Sequence, residues 1–136
     1  MKVIYIDTDV LVRAYVVQDA QKNRQANEVI EQVNKNDGAV ISTLSIQEML
    51  FVLEKLGVDN KEIETAYEEL MQLKPISYGT EVLQRAVEIA KNVGFRNIND
   101  CVHTAIAESH CRELITYNKR DFSKIKEFAR ILMTIL

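Results

Sequence analysis

The apolar positions divide the chain into short runs and longer periodic stretches. Val3-Ile4-Tyr5-Ile6 is an unbroken β-prone run, the pattern of a strand buried on both faces. It stops at Asp7-Thr8-Asp9, and apolar residues resume from Val10 to Val17 at a spacing compatible with a helix. Lys22 to Asn34 predicts a second helix with Ala26, Val29, Ile30 and Val33 on one face. Asn36-Asp37-Gly38 signals a turn, followed by a short strand from Ala39 to Ile41. Ser45-Ile46-Gln47-Glu48 matches a capping box, so a helix is expected from Ser45 to Leu56, stopping at Gly57. Asp59 to Glu62 repeats that start signal for a helix reaching about Leu73, and Pro75 then breaks the chain. Thr80 to Asn92 is amphipathic through Val82, Leu83, Ala86, Val87 and Ala90, and Gly94 ends it. A further helix is expected from Asn99 or Asp100 to about His110, with strands at Glu113 to Thr116 and Arg130 to Met133.

Strands separated by helices cannot be hairpins. They require crossover connections, so the expected fold class is α/β, three layers with a short, mostly parallel sheet between helices. The 136 residues fit one domain, and no repeat or linker interrupts them. In such sheets ligands gather beyond the carboxyl ends of the strands. Asp7 stands at one of those ends.

Composition narrows the partners. With 47% hydrophobic and 27% charged residues the sequence is that of an ordinary globular protein, not a disordered one. A formal net charge of -3 does not attract nucleic acid as a whole, so an RNA-handling role needs a local basic rim or bound metal. Cys101 and Cys111 are too few for a disulfide framework and fit a reducing cytoplasm. Asp7, Asp9 and Arg13 interrupt what would otherwise resemble a secretion signal between Met1 and Val17, and no stretch approaches the ~20 apolar residues of a membrane helix.

Acidic or amide side chains recur where strands end and helices start: Asp7 and Asp9, Glu48, Asp100, and Asn118 with Asp121. Carboxylates facing one pocket repel; two at ~4 Å cost roughly 4 kcal/mol at an effective dielectric of 20, which a divalent ion relieves. Tyr5-Ile6-Asp7-Thr8-Asp9-Val10-Leu11 resembles the opening motif of PIN domains, and Ile41-Ser42-Thr43-Leu44-Ser45-Ile46-Gln47-Glu48 their second. Asn99-Asp100-Cys101-Val102-His103-Thr104-Ala105-Ile106-Ala107 resembles the third motif, and Leu114-Ile115-Thr116-Tyr117-Asn118-Lys119-Arg120-Asp121-Phe122 the fourth. Within that family the chain is most similar to toxins of VapC type. The resemblance implies a Mg²⁺- or Mn²⁺-dependent endoribonuclease, a homodimer, and a partner antitoxin. It also implies Asp7, Glu48 and Asp100 as metal ligands, with Asn118 or Asp121 completing the catalytic set.

Each residue also has a plainer role. Asp7 can end a strand in an Asx turn, and Asp9 and Asp100 can cap helices. Asp9 is therefore read as a cap or a supporting residue, and Thr116 as a hydrogen-bonding support in the site or an ordinary strand-end residue. Glu48 can serve only its capping box. Asn118 stands where the family pattern often has Asp, and Asp121 can substitute there or cap a segment starting at Phe122. His103, a lone histidine one turn beyond Asp100, is left outside the catalytic set, and Cys101 and His103 diverge too far on one helix to share a zinc ion. Arg13, Arg96, Lys119 and Arg120 are candidates for RNA phosphates or an inhibitor. Leu11, Leu50 and Phe51 fit either a dimer or antitoxin surface or the core. Two other functions remain open: a haloacid-dehalogenase-like phosphatase with Asp7 as nucleophile, and an inactive PIN scaffold that binds RNA or protein without cutting.

Overall fold

In the computed structural model, which describes residues 3–136, side-chain alternation along the strands sorts the core into two halves. Strand β1 (Ile4–Ile6) sends Tyr5 to one face of the sheet and Ile4 and Ile6 to the other. Strands β2 (Ala39–Val40), β3 (Glu113–Thr116) and β4 (Leu132–Ile135) pair with it in the order β2-β1-β3-β4, all parallel. Helices α1 (Thr8–Tyr15), α2 (Ala20–Asn36), α3 (Thr43–Lys55) and α4 (Asn60–Met71) contribute to the core half containing Ile4, Ile6 and Ile115. Helices α5 (Thr80–Val93), α6 (Ile98–His110) and α7 (Lys119–Ile125) enclose Tyr5, Leu114 and Met133 on the opposite side. This is the three-layer α/β arrangement the sequence predicts, matching the rule that parallel sheets are covered on both faces. None of these helices is long and apolar enough to cross a membrane among the described residues. Met1, where the interrupted signal-like stretch begins, lies outside them.

Helix α6 runs through the centre because its sequence permits it. Every residue from Cys101 to Ala107 is buried, and the small side chains of Ala105 and Ala107 let it approach its neighbours closely. Of the face predicted for α5, Ala86 and Ala90 are buried; Ile89 joins them, whereas Leu83 is exposed.

The helix starts differ from expectation in an informative way. The capping box of α3 joins Ser42 and Ser45, each side chain accepting from the other's backbone N–H, so the N-cap lies three residues earlier than expected and the helix starts at Thr43. Ser42 is available because the chain leaves β2 extended, with φ -119° and ψ 170°. Asp7, rather than Asp9, caps α1 by accepting from Thr8 N at 2.8 Å. Asn97 occupies the N-cap of α6 after a 3₁₀ turn at Phe95–Asn97, which places Asp100 inside the first turn. Asn118 caps α7, accepting from Asp121 N at 3.1 Å, so Asp121 is no cap either. Strand β4 also starts two residues late, because Arg130 N is held by Glu108 before pairing begins.

Ser42 and Ser45 have no solvent exposure, so the cap has no water to replace it. Ser42→Ala is expected to destabilise the protein by about 2 kcal/mol, because Ser45 N loses its acceptor. A lowered urea midpoint at unchanged m-value is the predicted result.

Candidate active site

The strand order reverses direction between β1 and β3, and this switch point is where an open parallel sheet presents a crevice. Asp7 follows β1 there, and Thr116 ends β3 beside it; Asp7 N donates to Ile115 O at 3.0 Å. A cleft of about 730 Å³ opens above them. Asp7, Asp9, Glu48 and Asp100 all line it, together with Asn118, Asn99, Gln47, Gln18 and Arg13. One wall is apolar: Val12, Leu44, Val52 and Phe51, the last 68% exposed.

Local structure delivers each side chain. Asp7 and Tyr5 are two apart on an extended segment and so leave the sheet on one face. On α3, Leu44, Glu48 and Val52 recur every four residues toward the cleft, while Ile46, Met49 and Leu53 turn into the core. Because Ser42 and Ser45 close the capping box themselves, Glu48 is released from the capping role its sequence position suggested. On α6, Asp100 and His103 stand three apart and share a face.

Hydrogen bonds fix the acidic groups. Thr116 Oγ1 donates to Asp7 Oδ2 at 2.8 Å and accepts from Asn118 N at 2.9 Å. Asp9 accepts from Tyr117 N at 3.2 Å, so it ties the first turn of α1 to the end of β3. Glu48 Oε1 accepts from Thr8 Oγ1 at 2.7 Å and lies 2.6 Å from His103 Nε2, while Oε2 accepts from Asn99 Nδ2 at 3.2 Å. The Asn118 amide donates to Asp121 Oδ2 at 3.0 Å as well as capping α7.

Burial dominates the electrostatics. It raises Asp7 above the usual carboxylate range; the charge of His103 and the bond from Thr116 only partly oppose it. Burial, followed by the charge of Asp7, lifts Asp9 to about 7. Asp100 is also lifted to about 7 by burial and Asp7, with His103 opposing. Glu48 moves the other way. Burial would raise it, but the bond and charge of His103, aided by Thr8 and Asn99, outweigh that and hold it low. His103 is correspondingly raised: desolvation opposes, and Glu48, Asp7 and Asp100 prevail.

This donor set suits a hard divalent cation, which takes carboxylate and water oxygens. Among the described residues, however, no three His, Cys, Asp or Glu side chains are grouped as a ready-made set of ligands. An ion held by one or two carboxylates plus waters and substrate phosphate does not need such a set.

The family model for the PIN domain matches residues 4–128. The chain belongs to the PIN-domain family. Solved structures agree in fold. A chain of VapBC-1 from nontypeable Haemophilus influenzae is similar at 20% identity and a TM-score of 0.70, covering 98% of this chain and 97% of that one. A chain of the toxin–antitoxin complex from Klebsiella pneumoniae is similar at 22% identity and a TM-score of 0.67, covering 88% and 90%. A third belongs to VapBC2 from Rickettsia felis, bound to a DNA fragment from its promoter, at 16% identity and a TM-score of 0.70 with 98% of both chains covered. No curated protein matches the chain.

Of the residues singled out from the sequence, this PIN domain brings Asp7, Asp9, Glu48, Asp100, Asn118 and Arg13 to one cleft. Thr116 lies beneath it, and Asp121 reaches it through Asn118. Arg96, in the 3₁₀ turn before α6, and Lys119 and Arg120, in the first turn of α7, are exposed outside the lining. Leu11 is buried in the core and Leu50 half-buried. His103 and Tyr5 went unnoticed as partners. Their signal was the three-residue spacing of Asp100 and His103, but a histidine in an apolar helix carries no mark of what it meets.

Proposed function

We propose that the protein is a single-domain, metal-dependent endoribonuclease of VapC type, the toxin of a toxin–antitoxin pair. The observation that carries this reading is the set of four carboxylates lining one cleft at the switch point of a PIN-family sheet. Asp7, Glu48 and Asp100 would hold Mg²⁺ or Mn²⁺, with Asn118 or Asp121 binding a coordinated water and Asp9 and Thr116 as support. When bound, such an ion lowers the pKa of a coordinated water and offsets charge developing on the scissile phosphate. The chain's own residues do the rest. Asp7 is held by Thr8 N and Thr116 Oγ1, so its carboxylate is oriented before an ion arrives. Arg13 in the cleft, and Arg96, Lys119 and Arg120 around it, would take RNA phosphates and compensate a net charge of -3.

A partner antitoxin, a homodimer and a cytoplasmic setting belong to the same reading. Support for the antitoxin comes from the similar fold of chains in the Klebsiella and Haemophilus complexes. The family match leaves the phosphatase alternative without support.

Incubation of total RNA with the protein and Mn²⁺ is the direct test. Cleavage is expected with Mn²⁺ or Mg²⁺ and is expected to stop with excess EDTA. Mn²⁺ binding without cleavage of any RNA in a broad panel would instead identify a non-cutting scaffold.

A further inference from the structure

A polar chain runs from the start of α3 to the cleft through the interior. Ser42, Ser45, Tyr5 and His103 all have 0% exposure, so water cannot complete their hydrogen bonds. The two serines accept from each other's backbone N–H, and their hydroxyl oxygens lie 3.2 Å apart. Tyr5 Oη lies 2.8 Å from Ser42 Oγ and 3.2 Å from Ser45 Oγ. Tyr5 Oη also has His103 Nδ1 at 2.6 Å, so the phenol bonds both serine hydroxyls and the imidazole. The other ring nitrogen, Nε2, faces Glu48 Oε1 at 2.6 Å and Asp7 Oδ1 at 4.0 Å. Both are carboxylate oxygens, so a bare lone pair at Nε2 would meet only negative charge. Nε2 therefore carries a hydrogen.

We propose that His103 is a positioning residue: its Nε2–H, with the ring held in place by Tyr5 at Nδ1, fixes the Glu48 carboxylate in the cleft. A histidine that served only to fill the core would be a poor choice, because a buried imidazole needs partners for both nitrogens where an isoleucine needs none. Here both partners are present, and among the described residues no buried side-chain nitrogen or oxygen lacks one. The network begins at the cap of the helix that carries Glu48, so it sets where α3 starts and where its carboxylate points. Thr8 and Asn99 hold the same carboxylate from the cleft side. His103 holds it from within.

The inference rests on the reading of Glu48 as a metal-holding residue, and a titration of the RNA-free protein with Mn²⁺ separates the two. Wild type is compared with Tyr5→Phe, His103→Gln and His103→Leu, with thermal unfolding measured alongside. Outer partners of metal ligands are commonly worth about 10- to 100-fold in affinity, so His103→Leu is expected to weaken Mn²⁺ by that order and Tyr5→Phe by about tenfold. His103→Gln retains an N–H near the Nε2 position and is expected to stay within about threefold of wild type. Should the leucine variant fail to fold, the contrast between Tyr5→Phe and His103→Gln still decides. Folded Tyr5→Phe binding Mn²⁺ like wild type would overturn the proposal, as would His103→Gln binding no better than His103→Leu. Absence of Mn²⁺ binding by wild type would instead overturn the metal reading itself.

Discussion

Asp7→Asn is expected to remove RNA cleavage almost completely, by at least ~10³-fold or about 4 kcal/mol of transition-state stabilisation, while leaving the protein as stable as before or more so. The two effects have one origin. Asp7 is 4% exposed, caps α1 through Thr8 N and accepts from Thr116 Oγ1. An asparagine oxygen can replace the acceptor toward Thr8 and keep the helix start. It cannot supply the charge, and that charge is what burial and the neighbouring Glu48 carboxylate oppose in the metal-free protein. Removing it relieves desolvation and repulsion, the usual pattern when a functional residue carries strain. Initial rates with Mn²⁺, taken with thermal unfolding in EDTA, give both numbers. Cleavage by the asparagine variant at the wild-type rate would mean that the chemistry sits elsewhere.

The fold was legible because its signals are periodic. An unbroken apolar run marked β1, Leu114 and Ile115 marked β3, and turn and cap residues separated the helices, so the parallel three-layer arrangement followed from connection lengths. The acidic positions were legible through their motifs. What could not be read was the assignment of caps, since Asp, Ser and Asn are interchangeable there. Ser45 with Glu48 and Ser42 with Ser45 are both plausible start signals, and only the exit direction of β2 selects the second. The same ambiguity hid that Asp7 caps α1 and that Asp9 ties to Tyr117 instead. The partners of His103 were hidden for a different reason. Tyr5 and Glu48 lie 98 and 55 residues away in sequence, a distance no local pattern spans.

Binding of Mn²⁺ is expected to weaken steeply as the pH falls from 7 to 5, up to about 10³-fold, because ions and protons compete for the same carboxylates. Burial sets Asp9 and Asp100 to about 7, so both begin to take up protons within that window. Below its own value each carboxylate that must shed a proton costs about tenfold per pH unit. A plot of log affinity against pH should rise with a slope of at least one from Asp100, and more steeply where Asp7 and Asp9, both raised by burial, also release protons. Glu48 stays outside this count, since His103 holds it below the ordinary range. The metal-free protein should show the opposite trend in stability. An aspartate whose folded value lies above its unfolded ~3.9 stabilises the fold at low pH, and that contribution is lost as pH rises through about 7. His103 acts in the same direction, being raised in the fold. Glu48 opposes them only where the pH falls through its depressed value. Thermal unfolding in EDTA should therefore give a lower midpoint at pH 8 than at pH 6, with Mn²⁺ restoring more at pH 8. A midpoint unchanged by Mn²⁺ at either pH would show that the clustered charge is not relieved by a dication, and the carboxylates would then need another explanation.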